Sequence, residues 1–175
     1  MASETRLQMI ISAVATAVRG VTGIGQVHNY LRWAISDANF ETLGVSGNVV
    51  NLWQITRLNT EERWLTTGQV WRTHTIAIYG AYGLMDSDAT ERTFQALVER
   101  VANRFRSRTM WGLGIDSIVE STAPYMGALA ATSELLGARG GIQVENIEHR
   151  NLHSKLVHWC QLNLGVQETP EGLAD

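Results

Sequence analysis

The run VVNLWQITRL (49–58), NTEERWLTTG (59–68), QVWRTHTIAIY (69–79) decides the fold class. Its first part is rich in β-branched and aromatic residues. Val50, Leu52, Gln54 and Thr56 fall on one side, and Val49, Asn51, Trp53, Ile55 and Arg57 on the other. Its last part alternates in the same way, with Val70, Arg72, His74, Ile76 and Ile78 against Trp71, Thr73, Thr75, Ala77 and Tyr79. The polar stretch 59–68 reads as a connection, so the two strands are expected to form an antiparallel pair.

On the C-terminal side, Asp86-Ser87-Asp88 opens a helix, and Asp88 with Glu91 has capping-box spacing. Phe94, Leu97, Val98, Val101 and Phe105 form its apolar stripe, while Arg100, Arg104, Arg106 and Arg108 load its C-terminal end, where the helix dipole favours cations. On the N-terminal side, Leu7, Ile10, Ile11, Val14 and Val18 recur at helical spacing, with Ser3 suited to the N-cap and Gly20 to the stop. VTGIG (21–25) then breaks the period, Gln26 to Leu31 reads as a short extended piece, and Asp37 suits the cap of a short helix over Ala38 to Leu43.

Ile142 to Ile147 and Leu156 to Val166 alternate as a second antiparallel pair, with ENIEHRNLHSK (145–155) as the turn region. Residues 107–141 resist assignment: Ile115 to Val119 suits a strand or a turn of helix, and Ala128 to Leu136 a helix or a loop. The expected architecture is α+β, an antiparallel sheet of about four strands with two main helices packed on one face. The chain divides into one domain over 1–167, with 107–141 as an insertion or extended arm, and a flexible acidic tail over 168–175.

Composition bounds the partners. The 175 residues carry a formal charge of −3 at 18% charged residues, with 45% hydrophobic, so neither disorder nor phosphate-gripping nucleic-acid binding fits. The lone cysteine, Cys160, excludes an internal disulfide. No apolar run approaches the length of a membrane span, and the N-terminus lacks the layout of a signal peptide, so a soluble protein made in the cytoplasm is expected.

Chemical motifs are absent. The glycines at 20, 23 and 25 follow a helix and not a strand, so they are not a dinucleotide fingerprint, and there is no P-loop or CxxC. Glu145, Glu148, His149 and His153 cluster in a polar loop, where solvation accounts for them better than a metal does. His28 and His74, beside Tyr30 and Arg72, are the one pair to weigh as a ligand-binding or catalytic pocket. His158 and Cys160 alternate with apolar residues and read as buried structural groups. Ser46, Ser87 and Ser121 lack a nucleophile elbow, and the carboxylate pairs Glu61-Glu62 and Asp86/Asp88 sit at turns. No enzyme activity and no cofactor are expected.

What remains is an excess of Trp and Arg: six Trp, and 13 Arg against the single Lys155. These types are enriched in interface hot spots. Arg57, Arg63, Trp64, Trp71 and Arg72 around the first strand pair, with Arg104, Arg106 and Arg108 at the helix end, are the candidate interface.

The N-terminal helix, GIGQVHNY (23–30), VNLWQITR (50–57) and VWRTHTIAIYGAYGLMDSDATERTFQALVERVANRFR (70–106) together resemble bacteriophage tail-terminator and neck (head–tail junction) proteins. The similarity spans roughly residues 5–106, with the last strand matched by topology. The resemblance implies a structural protein of the virion. It would form a ring, hexameric in that family, on the head-proximal end of the tail tube, touching the tail-tube protein and the head-completion protein, with DNA passing through the lumen. Assembly would take place in the host cytoplasm, without a membrane. A net negative charge suits a channel that must release DNA. A tube-type virion protein that polymerises without a stop is the related alternative.

Overall fold

The computed structural model describes residues 6–32, 45–46, 49–66, 69–85, 89–106, 142–152 and 155–168. In chain order these form α1 (Arg6–Arg19), β1 (Gln26–His28), β2 (Val45–Ser46), β3 (Val49–Thr66), β4 (Gln69–Gly83), α2 (Thr90–Arg106), β5 (Ile142–Leu152) and β6 (Lys155–Glu168). The fold is α+β. Its five-stranded sheet has the order β1-β3-β4-β6-β5, and β2 pairs separately with the start of β3.

The expected strand pairs are both present, and β6 joins them by lying antiparallel to β4, from Arg72 opposite Glu168 to Gly83 opposite Val157. The sheet is mixed, not wholly antiparallel as expected, because β1 runs parallel to β3, Gln26 opposite Leu52 and His28 opposite Gln54. A parallel pair needs a connection of a dozen or more residues, and 20 residues separate His28 from Val49 in the chain.

Strand lengths differ from expectation in three places. Of the presumed connection 59–68, residues 59–66 are strand: β3 continues to Thr66, with Thr60 opposite His74 and Arg63 opposite Trp71. Pairing with β4 outweighs the polarity of this stretch because Asn59, Glu61 and Glu62 are exposed and need no apolar side chains to bury. Likewise the presumed turn 145–155 is mostly strand, β5 reaching Leu152 and leaving two residues before Lys155. Glu168, assigned to the tail, pairs with Arg72, next to Gln167 opposite Thr73. The short helix over 38–43, the caps at Ser3 and Asp88 and the whole of 107–141 lie outside the described residues.

Both helices pack on one sheet face. Ile10, Val14, Ala15, Ala17 and Val18 of α1 and Phe94, Leu97, Val98, Val101, Ala102 and Phe105 of α2 bury against Trp53, Ile55, Ile76, Ile78, Cys160, Leu162, Leu164 and Val166. Each large apolar side chain buried there contributes about 1.5–3 kcal/mol. On the other face a smaller cluster of Val50, Leu52, Ala81 and Val157 is buried, with Leu152 and Trp159 against it.

The glycine run after α1 has a steric cause. Gly23 has φ +87, and a Cβ at Gly25 would collide with the Asn51 backbone carbonyl. Asn51 fastens the turn, its Nδ2 donating to the Gly23 carbonyl at 3.0 Å while its Oδ1 accepts from Trp53 Nε1 at 3.0 Å. From α2, the Arg100 guanidinium donates to the Thr22 carbonyl at 2.8 Å. From α1, Arg19 donates to the Val27 carbonyl at 3.0 Å.

Candidate assembly surface

The long β3–β4 hairpin organises the surface. β1 accompanies β3 only as far as Gln54, and β6 accompanies β4 only as far as Arg72. Beyond those points the two strands continue alone, through Arg63 opposite Trp71 and Trp64 opposite Val70 to Thr66 opposite Gln69. Among the described residues this tip is a two-stranded arm projecting from a five-stranded sheet. A free two-stranded ribbon is marginal in water.

Of the eight candidate interface residues, Arg63, Trp64 and Trp71 lie on this arm, Arg72 at its base, and Arg57 farther back on β3, level with β4, β6 and β5. Arg57, opposite Ile76, is exposed and donates to Thr60 Oγ1 at 3.3 Å. A bulge follows it, where Leu58 stands 46% exposed. Arg72 pairs with Glu62 across the hairpin at 2.5 Å, with both side chains close to half exposed. Such a pair adds well under 1 kcal/mol to stability. Arg63, Trp64 and Trp71 are placed at the tip by strand register.

The helix-end arginines belong elsewhere. Arg104 and Arg106 lie in the last turn of α2, and Arg104 is half-buried beside Gly20, at the end of α1. Arg108 lies outside the described residues. The candidate residues therefore fall into two groups, one along the β3–β4 hairpin and one at the α2 end, which is tied into the α1–β1 turn.

The pocket weighed around His28, His74 and Tyr30 is not assembled. His28 lies opposite Gln54 and His74 opposite Thr60, six residues apart along β3, which at strand rise is about 20 Å. His74 is buried and hydrogen-bonds Thr60 Oγ1 through Nδ1 at 2.8 Å. Tyr30 is exposed, its ring tilted at 52° to that of His28 and the Arg32 guanidinium 5.8 Å from its centroid. His149 lies on β5, its ring 5.0 Å from that of buried His158, whose Nε2 meets Thr90 Oγ1 at 3.1 Å. Among the described residues no three His, Cys, Asp or Glu side chains are grouped to hold a metal ion. Cys160 is buried, and desolvation pushes its thiol up to about 12, partly opposed by a hydrogen bond with the Gly80 backbone. A thiol so protonated is a poor nucleophile.

Sequence reasoning missed one group. On the sheet face away from the helices, Tyr79 stacks on Trp159 with centroids 5.4 Å apart, and the Arg150 guanidinium lies 4.7 Å from the Trp159 centroid. Arg150 also pairs with Glu148. The signal was present in the alternation that set Trp159 opposite to Cys160. It was lost because β5 was cut short before Arg150.

No helix among the described residues is long and apolar enough to cross a membrane. No protein-family model matches the chain, and no curated protein matches it in sequence.

Proposed function

We propose that the chain is a structural subunit of a phage virion, a tail-terminator or neck protein that closes the head-proximal end of the tail tube as a ring. The observation that carries this reading is the β3–β4 arm: among the described residues the two strands outrun β1 and β6, and a two-stranded ribbon gains stability by docking. Its tip has Arg63, Trp64 and Trp71, residue types that dominate interface energetics. In a cyclic ring each subunit offers two different patches, so an arm that leaves its own domain fits the need for one of them. The formal charge of −3 favours a lumen that lets DNA pass. The proposed neighbours are the tail-tube protein on one side and the head-completion protein on the other.

The test is assembly. Light scattering and negative-stain images of the purified chain should show a closed ring, formed either alone or on contact with the end of a tail tube. Open filaments would move the assignment to a tube-type protein. A monomer that never binds tail tubes refutes the reading.

A further inference from the structure

We draw no further inference here: the strongest candidate, the uncharged row of Gln54, Tyr79 and Gln161 beside Trp159 on the sheet face away from the helices, carries nothing because nothing in the structure shows what covers it.

Discussion

Gly80→Ala is expected to strike the centre of the molecule. Gly80 lies in β4 between Trp53 of β3 and Cys160 of β6, directly opposite both in register. A Cβ there would lie 2.7 Å from Trp53 Cζ3 and 2.8 Å from Cys160 Sγ, against ordinary carbon contacts of about 3.5–4.0 Å. Both neighbours have no exposed surface, so neither can swing into solvent, and the strain must be met by spreading three strands. Overpacking of this kind costs about 1–3 kcal/mol, and the two-sided overlap places this case toward the upper end. In a domain of this size that lowers Tm by roughly 2–12 °C. The assay is urea unfolding followed by circular dichroism, with Cys160→Ala and the double variant completing a cycle. Removing Sγ frees space on one side, so the double variant should lose less than the sum of the singles, with a coupling of about 0.5–2 kcal/mol. A Gly80→Ala chain within about 0.5 kcal/mol of the unaltered one, or a strictly additive cycle, refutes the packing account.

The Thr90 hydroxyl accepts the Met85 N–H at 2.9 Å and lies 3.1 Å from both the Met85 carbonyl and His158 Nε2. Thr90→Val should therefore cost about 1–3 kcal/mol in a denaturant titration, and Thr90→Ser should recover most of it. The Cys160 thiol, held at about 12 against 9.0 without burial, remains neutral in the native chain while the unfolded chain ionises. Unfolding then releases a proton at pH between those values, and stability should fall as pH rises from about 9, by up to ~1.4 kcal/mol per pH unit. That part of the slope is expected to vanish in Cys160→Ala. Trp64→Ala should weaken assembly by about 2 kcal/mol or more while leaving the monomer within about 0.5 kcal/mol, as read by sedimentation and melting; equal assembly would remove the arm tip from the interface.

The sequence announces the parts of this fold whose periodicity is buried on one side. α1 and α2 appear as stripes because Val14, Val18, Phe94 and Leu97 must face the sheet, and Trp53/Ile55 and Ile76/Ile78 alternate for the same reason. Polar strands are silent. Glu61, Glu62, Glu148 and Arg150 lie on ribbons with both faces wet, so no apolar alternation marks them and composition alone suggests a loop. β1 is too short for any pattern, and its parallel pairing depends on a crossover that local sequence does not encode. The candidate interface was legible as a composition of Arg and Trp around one hairpin. Its division, with Arg104 drawn toward Gly20, depends on how α2 crosses α1, a relation between distant segments.

The strand order also sets a timetable for the nascent chain. β4 ends at Gly83 but its outer neighbour begins at Lys155, so the hairpin, α1 and α2 leave the ribosome well before the strand that covers Ile76 and Ile78 from the side. At translation rates of ~5–20 residues per second that interval lasts roughly 4–14 s. Throughout it β4 is itself a sheet border, available to the next chain on the same message. The nascent chain thus passes through a period when the wrong strand is on offer. Insertion of β6 ends that period, hiding the β4 border behind a strand that pairs with it from Arg72 to Gly83.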